Sequence, residues 1–105
     1  MWPENERIQV VLIADCLFVK ELHDALLHTI DVLLAADDGH CYIMAPKRGG
    51  SLDEFVVKAG SKGWHVDVTE RYDDLVWQQH EQALVASPDT YSFDSHYPIL
   101  VQLGR

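Results

Sequence analysis

The first strongly apolar stretch of the chain is IQVVLIADCLF, residues 8–18. Its residues from Ile8 to Ile13 are mostly β-branched, and only Gln9 interrupts them. Such a run is typical of a strand that is covered on both faces, as in a parallel sheet flanked by helices. Ligands bind outside the carboxyl ends of the strands in open parallel sheets. Asp15 follows the run directly, so it is either a cap for the next helix or a site residue.

The next segments alternate between helical and strand patterns. Apolar residues at helical spacing over residues 22–34 predict an amphipathic helix. Gly39 offers a left-handed cap at the end of that helix. A second apolar run, residues 40–46, predicts another buried strand. Ser51 stands three residues before a glutamate, which is the spacing of a capping box, so we expect a second helix over residues 52–61.

The remainder of the chain continues this alternation. In WHVDVTERY, residues 64–72, apolar and polar residues alternate strictly from Trp64 to Thr69, which indicates a half-exposed strand near a sheet edge. Residues 73–86 predict a third helix, and residues 96–104 a short final strand with Pro98 near its beginning. This order favours an α/β sheet with right-handed crossovers. No glycine-rich turn follows an early strand, so the chain, one domain over residues 1–105, resembles half of a larger sheet.

Charge and cysteine content narrow the function further. The chain has 17 acidic and 8 basic residues, a net charge of -9, and its only adjacent basic pair is Lys47-Arg48. Nucleic-acid binding needs a basic patch, so we expect no nucleic-acid partner. Cys16 and Cys41 fall at opposite ends of neighbouring parallel strands, which excludes a disulfide. Reduced thiols, together with the lack of a leader or a membrane-length apolar run, predict a cytoplasmic or nuclear protein without a membrane partner.

Four motifs occur in the order ADCLF, MAPKRGGSLDEF, ERYDD and DTYSFDSHYPILVQL. Together they resemble the C-terminal half of the calmodulin-lysine N-methyltransferases, which are seven-β-strand, S-adenosylmethionine-dependent protein methyltransferases. The resemblance covers residues 8–105. It implies the C-terminal half of a Rossmann-like sheet, with parallel strands, helices on both faces and the last strand antiparallel between the two strands before it. The family's cofactor-binding glycine-rich half would precede residue 1, so we expect a fragment that is inactive alone.

The resemblance also implies a site, with S-adenosyl-L-methionine as cofactor and calmodulin as the protein substrate. The family's acidic-x-x-aromatic motif corresponds to residues 15–18 and borders the cofactor's methyl group and the channel for the substrate lysine. Asp15 would orient the amine, and Phe18 would hold it by cation–π contact, which makes both catalytic. Ala14 and Asp15 would contact the cofactor. The alternative is that Asp15 caps a helix and Phe18 belongs to the core.

Three further interpretations stay open. Lys47 and Arg48, together with Phe18, would bind the substrate, because positive charge near the entrance attracts an acidic protein; solvated loop charges are the alternative. None of the six histidines lies in a metal-binding pattern, so no metal is predicted. The rival to an enzyme is a non-catalytic α/β module that self-associates through its exposed sheet edge.

Overall fold

The computed structural model describes residues 7–15, residue 17 and residues 19–105. A short 3-10 turn, Lys20–Leu22, precedes the first helix. The elements are β1 (Val10–Ala14), α1 (His23–Leu33), β2 (His40–Ala45), α2 (Ser51–Ser61), β3 (His65–Thr69), α3 (Asp74–Ala86), α4 (Phe93–His96) and β4 (Ile99–Gly104). Among these described elements, none of the helices is long and apolar enough to span a membrane.

The four strands form one sheet in the order β1-β2-β4-β3. β1 pairs parallel to β2, whereas β4 pairs antiparallel to both β2 and β3. β1, β2 and β3 therefore point the same way, and the last strand lies between its two predecessors in the opposite direction. The predicted half-sheet is confirmed, including the placement of its last strand.

One face of the sheet and the helices α1 and α2 enclose the core. Inward-facing side chains of β2 and β4 are fully buried at alternate positions, which is the period of a strand. α1 and α2 cover this face with side chains spaced three and four residues apart. The buried apolar residues of these four elements are Cys41, Ile43 and Ala45 of β2, Ile99, Val101 and Leu103 of β4, Leu27 and Ile30 of α1, and Leu52, Phe55 and Ala59 of α2; Leu17, Leu34 and Tyr97 complete the core.

β1 differs from its prediction. The unbroken apolar run predicted a strand covered on both faces, but Leu12 is 77% exposed and Val10 is 53% exposed. Only Val11 and Ile13, on the opposite face, pack against the core. The prediction is wrong because β1 is an edge strand and the outer face of the sheet is open beside it. Apolar periodicity reports what a strand is suited to contact, which need not lie within the chain at hand.

Two predicted caps are also wrong. α2 begins at Ser51 itself, and Gly50, at φ 94°, is its N-cap without a side-chain hydrogen bond. Gly39 does not supply a left-handed cap. A Cβ atom there would come within 2.5 Å of the Ala35 carbonyl oxygen, so glycine permits a close approach of two chain segments. The predicted start of the third helix is confirmed, because the Asp73 side chain accepts hydrogen bonds from two backbone amides of α3.

Candidate functional site

Polar side chains gather where the three co-directional strands end. Asp15 follows β1, Lys47 and Arg48 follow β2, and Glu70 follows β3. Because β4 runs in the opposite direction, the segment before it, with Asp94 in α4, reaches the same edge. This edge is where open parallel sheets bind ligands. We call these residues the crevice edge.

Asp15 and Arg48 form the central contact of the crevice edge. Arg48 Nε donates to Asp15 Oδ1 at 3.2 Å, and Arg48 Nη2 donates to Asp15 Oδ2 at 3.0 Å. This two-pronged geometry matches the planar guanidinium to the planar carboxylate. Both side chains keep solvent contact, with 39% of Arg48 and 48% of Asp15 exposed. The pair joins the ends of two neighbouring strands across 33 positions of sequence.

Both partners have left-handed backbones, with φ 51° at Asp15 and φ 45° at Arg48. In the part of the chain that the structure describes, they are the two non-glycine residues with positive φ. Such a conformation costs of order 1–3 kcal/mol per residue and tends to occur at functional sites. An exposed ion pair stabilises the folded state by only about 0.2–1 kcal/mol. The contact therefore does not compensate for the strain of its own backbone, and other contacts have to maintain it.

Asp94 supplies such contacts. Its carbonyl oxygen accepts from the Arg48 backbone N–H at 2.8 Å, and its Oδ2 accepts from the Gly49 N–H at 2.9 Å. Gly49 and Gly50 continue the left-handed path, with φ 63° and 94°. The loop after β2 is thus held from α4 in the conformation that directs Arg48 toward Asp15.

The second cation of this loop also has an acidic partner. Lys47 Nζ lies 3.8 Å from Glu70 Oε1, and both side chains are partly exposed. The two positive charges predicted near the entrance are therefore each matched by a carboxylate of the same chain. Any acidic ligand at this edge would have to compete with Asp15 and Glu70 for these two cations.

Two stacked tyrosine rings contact the backbone next to the crevice edge through their hydroxyl groups. The Tyr97 hydroxyl donates to the Glu70 carbonyl oxygen, and the Tyr72 hydroxyl donates to the Pro98 carbonyl oxygen at 2.8 Å. The two rings stack with centroids 6.1 Å apart. Burial raises the pKa of Tyr72 to about 12 and also raises the pKa of Tyr97. Both hydroxyls therefore keep their protons, and keep donating, to a higher pH than an exposed tyrosine would.

The structure separates the two interpretations of Asp15. The 3-10 turn has Val19 as its N-cap and α1 has Leu22, and neither cap uses a side chain. The hypothesis that Asp15 caps the following helix is therefore wrong. Ala14, the last residue of β1, precedes Asp15 at the crevice edge, and it is exposed. Phe18, the predicted aromatic of the motif, lies outside the described residues, as does Cys16.

Sequence reasoning missed two residues of the crevice edge, Asp94 and Glu70. Both belong to motifs quoted above, but neither stands at the end of an apolar run in the way that Asp15 does. The two left-handed glycines after Arg48 were the available signal, because a loop that needs a special backbone needs something to hold it. Among the described residues, no group of three or more histidine, cysteine, aspartate and glutamate side chains could hold a metal ion.

The chain is similar in sequence to a known methyltransferase. No protein-family model matches the chain. Calmodulin-lysine N-methyltransferase of Arabidopsis thaliana is 35% identical to it over 97 residues. This chain is a relative of that methyltransferase. The match covers 90% of this chain and 32% of the Arabidopsis protein, so the resemblance seen in the four motifs is confirmed, and the chain spans about a third of the length of its relative.

Proposed function

We propose that this chain is the C-terminal part of an S-adenosylmethionine-dependent protein-lysine N-methyltransferase that acts on calmodulin. The observation that carries the proposal is the 35% identity over nearly the whole chain to an enzyme of that name. The position of Asp15 at the end of β1 supports it. The proposal includes a cytoplasmic or nuclear location and an inactive isolated chain.

The residues at the crevice edge fit one end of S-adenosylmethionine. This cofactor carries a sulfonium cation, and a carboxylate such as Asp15 is a suitable neighbour for positive charge. Ala14 beside it leaves room, because its side chain is a single methyl group. The described residues of this edge offer no comparable set of groups for the adenosine and amino-acid ends. Ala14 and Asp15 would thus border the bound cofactor, which supplies the methyl group to be transferred, while the remainder of the enzyme holds it.

Asp15 would act on the substrate lysine. Only the neutral amine can attack, so the lysine ammonium first releases a proton to solvent water, and the amine then needs a fixed direction. An ionised carboxylate has about four lone-pair positions, of which the Arg48 fork uses two. The remaining positions can accept an N–H of the substrate amine. Asp15 would therefore bind and orient the amine without first releasing Arg48.

The open side of the sheet supports the proposal that the chain is part of a larger protein. β1 is the outermost strand on its side of the described sheet, and its outer face carries the exposed Val10 and Leu12. An apolar, uncharged edge of this kind favours pairing with another strand. In the complete protein, a region that corresponds to the unmatched two thirds of the Arabidopsis relative would supply the strand that pairs with β1 and the helices that cover its outer face.

A methyl-transfer assay tests the proposal. The fusion enzyme for this assay is the Arabidopsis relative with its matched third replaced by this chain. We expect it to transfer methyl groups to calmodulin, whereas the chain alone should neither transfer them nor bind S-adenosylmethionine in titration calorimetry. A folded fusion enzyme without activity would contradict the proposal. Tight cofactor binding by the chain alone would contradict its predicted inactivity.

The exposed edge favours one second candidate, a non-catalytic module that pairs with a second copy of itself through β1. The run VVLIA is centred on Leu12, so two antiparallel copies would place apolar residues opposite apolar residues along the whole strand. The high negative charge opposes such a dimer. Sedimentation of the chain at low and high salt decides, because only this candidate predicts a dimer that Leu12→Lys abolishes while Val85→Lys, on the exposed face of α3, leaves it intact.

A further inference from the structure

We infer that Arg48 is a positioning residue, which fixes the Asp15 carboxylate at the crevice edge, and that Asp94 holds Arg48 in place for this task. The inference rests on the proposed function for its chemical purpose, since a fixed carboxylate is useful where a primary amine has to be oriented. It adds two residues, in named roles, to the acidic-x-x-aromatic motif. The contacts themselves can be tested without enzyme activity.

Arg48 has a left-handed backbone conformation that is unfavourable for an arginine. Its φ of 45° is one that glycine adopts without cost, and the next two residues are glycines with positive φ. Nothing about the turn alone requires a side chain at this position. An arginine there sacrifices backbone stability, so its side chain has to do something that glycine cannot. The structure shows that side chain engaged with Asp15 through two donors.

The two-pronged contact between Arg48 and Asp15 restricts the carboxylate more than a single hydrogen bond would. A single lysine-type bond would leave the Asp15 carboxylate free to rotate about its own bonds. Two parallel bonds from Nε and Nη2 define both the plane and the direction of the carboxylate. The free lone pairs of Asp15 then have one orientation. Errors of about 1 Å in such placement cost on the order of a hundredfold in rate.

Asp94 contacts the loop that carries Arg48 through both its main chain and its side chain. Its main chain accepts from the Arg48 N–H, and its side chain accepts from the Gly49 N–H. These bonds fix the backbone on both sides of the Arg48 carbonyl group, and therefore the direction in which the side chain leaves the loop. Asp94 and Asp15 are separated by most of the chain length, yet both contact Arg48, Asp94 through the Arg48 backbone and Asp15 through its side chain.

The primary experiment uses the full chain and measures the exchange of the Arg48 Nε–H proton with water by NMR. We expect Asp94→Ala to accelerate this exchange about fivefold, as the loss of one hydrogen bond does. Arg71 is the matched control, because its Nε donates to Asp74 at 3.1 Å in another exposed pair that Asp94 does not touch. Its exchange should stay constant. An unchanged Arg48 proton in Asp94→Ala would overturn the inference.

The second experiment uses the fusion enzyme and compares Arg48→Lys with Arg71→Lys. Lysine preserves the charge but cannot form the two-pronged contact, so we expect kcat to fall about tenfold or more and KM for calmodulin to change less than about twofold. Arg71→Lys should change neither. A normal kcat in Arg48→Lys would overturn the inference, as would an effect on KM alone, which indicates attraction of an acidic substrate. A fusion enzyme that is inactive before mutation counts against the proposed function, while the exchange measurement still decides the contacts.

Discussion

Two arginine–aspartate pairs lie at opposite ends of the sheet and differ in what they contribute. At the crevice edge, Arg48 contacts Asp15 from a strained loop. At the other end, Arg105 contacts Asp31 of α1, and its Nη2 also donates to two carbonyl oxygens, those of Asp31 and Leu34. Leu34 is the C-cap of α1, so this arginine satisfies groups that the end of the helix leaves free.

The Arg105 pair is also part of a packed surface. Its guanidinium lies 4.9 Å from the centre of the Trp64 ring, and it lines a cavity of about 320 Å³ together with Asp24, Asp31 and Lys62. Its backbone lies outside the left-handed region. A similar ion pair therefore stabilises the fold at one end of the sheet and fixes a geometry at the other.

The largest difference concerns activity. Asp15→Asn in the fusion enzyme should lower methyl transfer about a hundredfold, because asparagine keeps the shape of the side chain but loses the charge that orients the amine. Asp31→Asn makes the same change at the other end and should leave transfer close to normal. Initial rates with calmodulin measure both. Equal losses in the two variants would show that the effect comes from folding.

Stability should respond in the opposite order. Arg105→Gly removes the bonds to the end of α1 and the contact with Trp64, and should lower the free energy of unfolding by about 2 kcal/mol. Arg48→Gly loses an exposed pair but relieves a left-handed arginine, so its change should stay within about 0.5 kcal/mol or be a gain. Urea unfolding of the full chain measures both values. A larger loss in Arg48→Gly would contradict the assignment of strain to the crevice edge.

Acid should weaken the Arg105 end through Asp24. Lys58, 3.5 Å away, and then Lys62, at 3.4 Å, hold the pKa of Asp24 below its usual value. The folded chain thus binds this proton less strongly than the unfolded chain, and the contribution of Asp24 is complete above about pH 3.9 and lost as the pH falls through the folded value. The urea midpoint of the natural chain should fall more between pH 5 and pH 3 than that of Asp24→Asn. Parallel profiles would contradict the shift.

Salt should distinguish the two pairs by the smallest margin. The destabilisation caused by Arg48→Gln includes the loss of an exposed, charge-assisted contact and should shrink in 1 M NaCl, where the screening length is about 3 Å. The destabilisation caused by Arg105→Gln includes carbonyl bonds and ring contact and should largely persist. Each comparison is made against the natural chain at the same salt concentration, so the effect of the high net charge cancels. Equal salt sensitivity would remove the distinction.

The sequence predicted most of this architecture for identifiable reasons. Long amphipathic segments predicted the helices, and the alternation in residues 64–69 identified an edge strand. The position of β4 between β2 and β3 came from resemblance to a family, since local pattern does not encode strand order. The exposure of β1 could not be read from its composition, because an apolar strand looks the same whether its partner lies in the same chain or elsewhere.

The site was predicted less completely than the fold. Asp15 stood out because an acid directly follows an apolar run. Its pairing with Arg48 depends on left-handed backbones at two non-glycine residues, which no pattern of residue types reveals. Asp94 was missed because its role runs through the backbone of another loop. Contacts that act through a turn become visible only when the turn itself is seen.

The placement of β4 has a consequence for the order of events during synthesis. β1 and β2 emerge before the other two strands and can pair as soon as α1 connects them, since they are neighbours in the sheet. β3 emerges next but has no partner, because the strand that joins it to β2 is made after it. Until β4 arrives, the nascent chain carries a loose strand and an uncovered β2 edge. Chaperones that shield apolar strands should therefore engage the chain after β3 has emerged and before β4 pairs with it.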